Sequence, residues 1–553
     1  MTKRTAWKYA VGALLSALPF GVHSQSLDPA QIVKPAPDSW PVYSGDYSGQ
    51  RFSSLTEINK STVKGLSLVW AQHLEAGSRG AAGAPPTIIG GVGTTESTAV
   101  ASVKGAILQI DGVLYVTTPD NAWALDARDG HEIWHYFWKT RGGTHIGNRG
   151  VAMWKNWVYM ETPDDYLICL DAKTGKEKWH KEISSFDLQY FSTMAPIVAG
   201  NHLIVGTSND LDEPGLLKSV DPETGDVQWT LYTVPMKEGD PGLDTWGSLD
   251  AARHGGGNAW NDGSYDPETH LYIFGTGNPT GAYGEKSRGT GANLFTCSLI
   301  AVNVDTGKMA WYYSLDPHDT HDFDGSQTPM LIDGTINGKP RKLVMTAERS
   351  GYVYTLDRVT GEHIATGLLS PTINWASGLD KNGAPIRNPD KDYIIPGALV
   401  SPANEGVVNW PPPAYSPQTQ LAYFPTDDSY ALYYKTTLDS RGAMGLGGGQ
   451  EAVLGSSAVN LTAVNYATGK IVWEHRYPGV TYAANLTGLL ATGGGLVFGG
   501  DPNGNLIAFD ATNGTPLWHS HIGTTNAPET YMLDGHQYLL EAGRDMVYTF
   551  RLN

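Results

Sequence analysis

Cysteine is nearly absent from this sequence of 553 residues, which contains only Cys169 and Cys297. The two lie far apart along the chain, and in an oxidising compartment they could form one disulfide. No Cys-x-x-Cys-His segment is present, which excludes a covalently attached c-type haem. Charged residues make up only 17% of the chain and hydrophobic residues 41%, so the composition is that of a globular protein.

Long apolar runs are missing beyond the first residues, so no later segment predicts a membrane-spanning helix. The chain begins with Lys3, Arg4 and Lys8, followed by an apolar run and small residues up to Ser24. This pattern predicts a signal peptide over residues 1–24 and an exported, soluble mature protein. A single membrane anchor is the alternative, for which the apolar run is short.

Basic residues are outnumbered, with 38 Lys and Arg against 56 Asp and Glu. Loss of residues 1–24 removes three basic and no acidic residues, which takes the formal net charge from −18 to −21. Such an acidic surface argues against nucleic acid or an anionic membrane as partner. It suits a cationic protein partner, although a requirement for solubility explains the charge equally well.

One short phrase recurs along almost the whole chain: an apolar strand, Asp or Asn, a turn with Gly, and a second strand that usually ends in Trp. The Asp or Asn caps a tight turn and the Gly supplies a positive φ, so the two strands fold back as a hairpin. The Trp is large enough to wedge between neighbouring sheets. The copies end at Trp134, Trp179, Trp229, Trp311, Ala365, Trp473 and Trp518, with a degenerate copy ending at Trp70.

The repeat spacing predicts the fold. The shortest spacing, from Trp134 to Trp179, is 45 residues, the length of a four-stranded blade. Eight copies predict an all-β, eight-bladed β-propeller with tryptophans docked between blades, and residues 25–553 as a single domain. A β-solenoid has much shorter repeats. We expect the last strand, within YLLEAGRDMVYTFRL, to pair with strands from the start of the mature chain, and the Gly- and Ala-rich stretch 77–93 to be a surface loop.

Two carboxylates stand out in SLDPHDTHDFDGSQTP, the segment that follows the copy ending at Trp311. Asp322 and Asp324 are two residues apart, so on a strand they would share one face and could both reach one cation. A solvated acidic loop, or carboxylates that cap turns, would give the same pattern.

Two other segments offer oxygen donors. Asn278 follows glycines in YIFGTGNPTG, where the backbone could approach a ligand closely. GTSNDLDEPG contains Asp210 and Asp212. Either segment could equally be an ordinary turn.

A planar platform is a further feature, because three glycines precede Trp260 in HGGGNAW. Core packing would explain a lone Trp equally well. Arg149 and Arg349 follow turn or strand signals and could be surface cations. Taken together, these segments suggest an anionic planar ligand, an aromatic floor and a hard cation with oxygen ligands.

In this order the segments resemble the quinoprotein alcohol dehydrogenases, the family of bacterial methanol and ethanol dehydrogenases. The resemblance extends from WPVYSGDYSGQRFSSLTEIN to the last repeat. It implies an eight-bladed propeller that holds pyrroloquinoline quinone (PQQ) and a metal ion, acts in the periplasm and passes electrons to a soluble cytochrome c. The resemblance does not define the oligomeric state, for which a homodimer is one possibility.

The resemblance also implies a role for each matching residue. The catalytic residues are Asp322, which also contacts the metal, and Arg349 beside the quinone carbonyls. The residues expected to bind the cofactor are Arg149, Thr193, Ser208, Trp260, Arg349, Asn409 and Trp410. The expected metal ligands are Asn278, Asp322, Asp324 and one of Asp210 and Asp212, between which the sequence does not choose.

Asp324 bears on the identity of the metal. A carboxylate two residues after the catalytic Asp resembles the lanthanide-using members, whereas the calcium-using methanol dehydrogenases have a small residue there. A trivalent hard cation gains more from an additional negative ligand than a divalent one. We therefore expect a lanthanide ion, with Ca²⁺ as the alternative.

The chain departs from the family pattern at several positions. GGTHIGNRG lacks the adjacent cysteines often found before NRG, and His145 could pack there instead. Lys104 occupies a position where the family has Glu, and His321 one where it often has Trp. These changes make the substrate less predictable.

The predicted function is oxidation of an alcohol to an aldehyde or ketone. The alternative from another class is a non-catalytic scaffold, because outer-membrane assembly proteins carry similar repeats without PQQ. A quinoprotein that acts on a polyol or sugar is a third reading. Five residues distinguish the enzyme from the scaffold, because a scaffold has no need to keep them together: Asp322, Asp324, Asn278, Trp260 and Arg349.

Overall fold

The computed structural model describes residues 26–75, 87–89, 94–96, 102–142, 147–281, 286–325, 327–393, 396–435, 449–479 and 486–553. The predicted signal peptide and His145 lie outside this range. The stretch 77–93, predicted to be a loop, contains the strand Thr87–Ile89, which pairs with Thr94–Glu96. That prediction was therefore incomplete.

β-Structure dominates the described chain. The two α-helices found there are Pro29–Val33 and Leu249–Arg253, and the 3₁₀ turns are Val63–Gly65, Phe186–Leu188, Leu243–Thr245, Lys286–Arg288 and Pro389–Lys391. None of these helices has the length and hydropathy needed to cross a bilayer.

The strands of the described residues form eight sheets of four or five strands. Sheet 1 comprises Leu108–Ile110, Val113–Thr118, Asn121–Asp126 and Glu132–Phe137, and sheet 2 comprises Val151–Trp154, Trp157–Glu161, Tyr166–Asp171 and Glu177–Glu182. Sheet 3 comprises Ile197–Ala199, His202–Thr207, Leu216–Val220 and Val227–Tyr232, and sheet 4 comprises Ser264–Asp266, Leu271–Gly275, Ser298–Asn303 and Met309–Ser314.

The remaining four sheets follow in chain order. Sheet 5 comprises Met330–Ile336, Lys339–Ala347, Tyr352–Asp357 and His363–Leu368, and sheet 6 comprises Ala398–Val400, Ala414–Ser416, Leu421–Lys435, Gly449–Asn465 and Ile471–Arg476. Sheet 7 comprises Phe52–Ser53, Leu489–Thr492, Leu496–Gly500, Asn505–Asp510 and Pro516–His521, and sheet 8 comprises Leu66–His73, Glu529–Leu533, His536–Gly543 and Met546–Leu552. A separate hairpin pairs Ala376–Leu379 with Pro385–Arg387.

The recurring phrase forms the last hairpin of its sheet in the predicted way. In sheet 2 the Asp171 carboxylate accepts the backbone N–H of Lys173 at 3.1 Å and of Thr174 at 2.9 Å. Gly175 has φ +67° and donates its N–H to the Asp171 carbonyl at 2.8 Å. An L side chain is strained in this left-handed conformation, which explains the glycine.

Tryptophan side chains join consecutive sheets. The ring of Trp134, in sheet 1, lies against Gly175 of sheet 2, where an added Cβ would be 2.7 Å from the ring. Its Nε1 donates to the Ala172 carbonyl at 2.8 Å. The same contact with a turn glycine of the following sheet is made by Trp70, Trp179, Trp229, Trp311 and Trp473, against Gly130, Gly225, Gly307, Gly361 and Gly514.

The junction after sheet 5 differs because Ala365 replaces the tryptophan. Here the backbones touch directly, and a Cβ added to Gly367 would lie 1.9 Å from the Gly469 carbonyl oxygen. Two glycines therefore close the space that a tryptophan fills elsewhere.

The two ends of the chain meet in shared sheets. Leu66–His73 pairs antiparallel with the last strand, Met546–Leu552, which confirms the predicted pairing. Phe52–Ser53 adds a parallel strand to Leu489–Thr492 of sheet 7. Cys169 and Cys297 are buried free thiols, so the disulfide considered from the sequence is not formed.

Candidate active site

The acidic segment lies in the connection between sheets 4 and 5, and it contains a tight turn held by Asp319. The Asp319 carboxylate accepts the backbone N–H groups of His321 at 2.9 Å, Asp322 at 3.0 Å and Phe323 at 3.2 Å. Asp322 has φ +67°, a conformation that costs an L residue of this type on the order of 1–3 kcal/mol. Asp319 therefore acts as the cap that keeps Asp322 in a strained position.

Aromatic packing fixes the same turn from both sides. The rings of His321 and Phe323 are stacked 5.2 Å apart at 14°, and both pack near Trp375, at 6.1 and 5.5 Å. The His321 Nε2 contacts the Lys391 carbonyl at 2.8 Å. Burial lowers the pKa of His321 to about 4, so the ring that takes the place of a tryptophan is a neutral packing element.

Carboxylates converge around Asp322. Burial raises the pKa of Asp322 well above its ordinary value, and the charges of Asp324, Asp319 and Asp210 raise it further, while Arg349 opposes the shift. Burial and the charge of Asp210 also raise the pKa of Asp324 above its ordinary value, although Arg349 opposes the shift. Several acids thus share one guanidinium.

Asp324 is positioned by sheet 4 and by Arg349. One of its oxygens accepts the backbone N–H of Asn278 at 2.7 Å, and the other lies 3.1 Å from Arg349 Nη1. An added Cβ at Gly277 would be 3.0 Å from the Asp324 carboxylate, so the glycine permits this approach. Arg349 Nη1 also lies 4.0 Å from the nearer Asp322 oxygen.

The structure separates Asp210 from Asp212. The charge of Asp210 acts on both Asp322 and Asp324. Asp212 instead acts on Glu213, and its carbonyl contacts His254 Nδ1 at 2.8 Å. Of the two residues left open by the sequence, Asp210 is therefore the one associated with the acidic centre.

The acidic centre fits a hard cation by its chemistry rather than by a closed cage. Among the residues that the structure places, no three His, Cys, Asp or Glu side chains are arranged closely enough to hold a metal ion. The donors at hand are carboxylate oxygens together with Asn278, the set that hard cations prefer. Their mutual repulsion is compensated only in part by Arg349, so a bound cation would stabilise them.

The second half of the site is an aromatic and cationic cradle. Arg149 Nη1 donates to the carbonyl oxygens of Thr193 at 3.0 Å and Trp260 at 3.1 Å, and it also contacts Thr193 Oγ1. Its guanidinium lies 4.7 Å from the Trp260 ring and 5.1 Å from the Trp410 ring. The Arg349 guanidinium lies 5.5 Å from the same Trp260 ring, so Trp260 connects the cradle to the acidic centre.

Two other predicted cofactor residues lie around this cradle. Ser208 is buried, its backbone pairs with Phe191, and its Oγ has no hydrogen-bond partner among the residues that are placed. Asn409 Oδ1 accepts from Arg349 Nη2 at 3.5 Å, and its Nδ2 donates to the Glu405 carboxylate at 2.9 Å. Asn409 thus orients Arg349, and Ser208 offers a hydroxyl for a ligand.

Two residues near the site were given no such role from the sequence. Asp319 lies in the same acidic segment as Asp322 and Asp324, and it caps the turn. Asp262, two residues after Trp260, acts electrostatically on Arg149 and was not singled out.

Lys104 is exposed next to Gly105, where an added Cβ would lie 2.5 Å from the Arg149 backbone. It therefore lies at the edge of the cradle.

The comparisons with known proteins identify the chain as a quinoprotein propeller. Residues 40–366 match the family model described as the glucose/ethanol/alcohol dehydrogenase PQQ β-propeller domain, and the chain belongs to this family. Residues 431–552 match a second model, described as outer membrane protein assembly factor BamB.

Individual relatives agree with this membership. The dehydrogenase subunit of the quinone alcohol dehydrogenase of Gluconacetobacter polyoxogenes is 33% identical over 93% of this chain and 73% of its own. The solved quinohemoprotein alcohol dehydrogenase ADHIIG of Pseudomonas putida HK5 aligns with a TM-score of 0.85 and 30% identity, over 96% of this chain and 83% of its own. A europium-containing methanol dehydrogenase aligns with a TM-score of 0.79 and 25% identity, over 94% of this chain and 99% of its own.

Proposed function

We propose that this protein is a periplasmic PQQ-dependent alcohol dehydrogenase that oxidises an alcohol to an aldehyde or ketone and passes the electrons to a soluble cytochrome c. The observation that carries the proposal is the position of Arg349. Its guanidinium lies within 3.1 Å of Asp324, 4.0 Å of Asp322 and 5.5 Å of the Trp260 ring. One residue thus joins the acidic centre to the aromatic cradle.

The proposed architecture follows from the sheets. The eight sheets are eight blades around a central channel, the six tryptophan–glycine contacts are docking motifs between blades, and residues 25–553 form one domain. The site occupies loops that join consecutive strands, some between sheets and some within a sheet, and such loops carry the ligand-binding groups of propellers. Export by residues 1–24 accords with this location of the enzyme.

Each side chain has a task in the proposed reaction. When bound, PQQ supplies the acceptor for the hydride of the alcohol carbon. Trp260 provides the stacking surface, Arg149 and the Ser208 hydroxyl hold polar groups of the cofactor, and Arg349 stabilises negative charge beside the quinone carbonyls. Asp322 accepts the hydroxyl proton at its carboxylate, which requires it to be ionised.

A metal ion would make that ionisation possible. Without a cation, burial and neighbouring acids raise the pKa of Asp322 and disfavour its ionised form. A cation held by Asp210, Asn278, Asp322 and Asp324 would lower this pKa and favour ionisation. We infer a lanthanide ion rather than Ca²⁺, because Asp324 adds a carboxylate to the donor set. The likeness to a europium-containing enzyme supports this choice.

Reconstitution tests the activity. The purified protein is supplied with PQQ and either LaCl₃ or CaCl₂, and dye-linked oxidation of short alcohols is measured. We expect a quinone absorption band and higher activity with La³⁺. Equal activity with Ca²⁺ would overturn the metal assignment. Absence of both the band and the activity would favour the scaffold function suggested by the match of residues 431–552.

A further inference from the structure

A group of buried acids lies beside the cofactor cradle, away from the acidic centre. Glu161, Asp165 and Asp262 are 0%, 0% and 4% exposed. Asp165 is bound by the hydroxyls of Ser192 and Thr207. Asp262 is the member whose charge acts most strongly on Arg149, and Glu161 acts on it more weakly.

Asp262 links the two segments that hold Arg149. One carboxylate oxygen accepts the backbone N–H of Ala195 at 2.9 Å, two residues from Thr193. Asp262 itself lies two residues from Trp260, so it connects the two carbonyls that bind Arg149. Its second oxygen is buried and has no hydrogen-bond partner among the residues described.

The charged and titratable groups that face Asp262 are Arg149, Glu161, Tyr43 and Tyr272. Burial raises the pKa of Asp262 to about 7, and Arg149 is the main opposing influence. Burial also raises the pKa values of Glu161, Tyr43 and Tyr272, which favours the neutral form of each of these groups. The charge balance around Asp262 is therefore set by Arg149.

We propose that Asp262 is a positioning residue that serves as the resident counter-ion of Arg149 and takes up a proton when a cofactor carboxylate binds that guanidinium. The inference rests on the proposed function, because it assigns the carboxylate to PQQ. Before binding, the Arg149 charge favours ionised Asp262. After binding, the cofactor carboxylate neutralises Arg149 and adds a negative charge nearby, so the protonated carboxyl is favoured.

The direction of the pH dependence follows from this exchange. The complex holds more protons than the free protein, so binding weakens as the pH rises above the pKa of Asp262 in the free protein. Uptake of one proton weakens binding by at most about tenfold per pH unit. We therefore expect PQQ affinity to be constant near pH 6 and to fall between pH 7 and pH 8.5.

The test is a titration of the full-length protein with PQQ at a fixed LaCl₃ concentration, followed by quenching of tryptophan fluorescence from pH 6 to pH 8.5. Calorimetry in buffers of different ionisation enthalpy measures proton uptake in the same complex. Asp262→Asn retains an oxygen for the Ala195 N–H but cannot ionise. We expect it to bind PQQ with an affinity that matches wild type at pH 6 and exceeds it by about tenfold at pH 8.5.

Two variants separate this role from simple packing. Asp165→Asn removes a carboxyl whose pKa is also raised to about 7 but which faces Lys218, so the pH dependence should remain. Asp262→Ala removes the tether to Ala195 and should weaken binding at every pH. The same pH dependence in wild type and Asp262→Asn would overturn the inference. No PQQ binding at any pH would instead overturn the proposed function.

Discussion

Aspartate occurs both in the repeat turns and at the site, but its surroundings shift the carboxyl pKa in opposite directions at Asp357 and Asp322. Despite partial burial, hydrogen bonds from Arg341 and from backbone N–H groups lower the pKa of Asp357, a turn residue of sheet 5. At the site, burial and neighbouring carboxylates raise the pKa of Asp322 well above its ordinary value. The turn supplies hydrogen-bond donors to its own carboxylate, whereas the carboxylates of the site would need a bound cation to compensate their mutual repulsion.

This contrast separates stability from function. Each turn supplies local partners for its carboxylate, and each tryptophan contact lies between adjacent sheets, so these parts maintain the fold. The strained Asp322 turn and the clustered acids reduce stability and are held in place by Asp319 and the surrounding rings. Substitutions in the two regions should therefore affect different properties.

The largest expected effect is at Asp322. Asp322→Asn removes the proposed proton acceptor, and we expect alcohol oxidation to fall by about 10²–10⁴-fold. Because the change also removes one of several repelling acids, the thermal unfolding temperature of the metal-free protein should stay the same or rise. Dye-linked assays and differential scanning fluorimetry measure the two properties.

Asp316→Asn is the matched control for this prediction. Asp316 is buried in the same segment, and burial and Asp319 raise its pKa, but the cation that acts most strongly on it is Arg387. We expect its activity to remain near wild type. Full activity in Asp322→Asn would rule out the role of Asp322 as the base. A large loss of stability in the same variant would contradict the proposed separation between residues that stabilise the fold and residues that serve the reaction.

A turn glycine should show the opposite pattern. Gly175→Ala introduces strain at φ +67° and an overlap with Trp134 at 2.7 Å, with a cost of roughly 1–3 kcal/mol for each effect. Gly200→Ala has nearly the same φ, +66°, but meets nothing within 4 Å. Chemical denaturation should therefore show a larger loss for Gly175→Ala. Equal losses would show that the tryptophan contact is not tight, and a change in PQQ affinity of the folded variant would contradict the contrast.

Stability of the metal-free protein should fall as the pH rises from about 5 to 8. Burial raises the pKa of Glu529 to about 8, although Arg51 opposes the shift. A carboxyl with a raised folded pKa contributes stability below its unfolded pKa, and this contribution is lost as the pH approaches the folded value. In Glu529→Gln the decrease of the unfolding temperature over this range should be smaller. An unchanged pH profile in the variant would contradict the assignment to Glu529.

The smallest effect concerns the hydrogen bonds of the docked tryptophans. Trp134 Nε1 donates to Ala172 at 2.8 Å, whereas the buried Trp473 Nε1 has no partner among the residues described. Trp134→Phe should therefore cost about 1 kcal/mol more than Trp473→Phe, because it removes the shorter of two hydrogen bonds to the Ala172 carbonyl and leaves only the one from the Tyr115 hydroxyl at 3.4 Å. Equal free energies of unfolding would show that packing alone holds the rings.

Prediction from the sequence worked best where interactions are local. The degenerate copy ending at Trp70 makes the same glycine contact as five other copies, and the pairing of Leu66–His73 with the last strand is confirmed. The capping role of Asp319 could not be predicted, because the sequence does not distinguish an aspartate that caps a turn from one that binds a ligand. The choice between Asp210 and Asp212 likewise required the positions of Asp322 and Asp324.

The sequence by itself determined the hairpins, because a capping Asp or Asn, a Gly with positive φ and a strand that usually ends in Trp act within about a dozen residues. It also indicated the family through the order of its motifs. Only the tertiary structure decided how Arg349 joins the acids to Trp260, and how Asp262 comes to face Arg149. These contacts link residues up to about a hundred positions apart, so their geometry depends on the packing of whole sheets rather than on any local pattern.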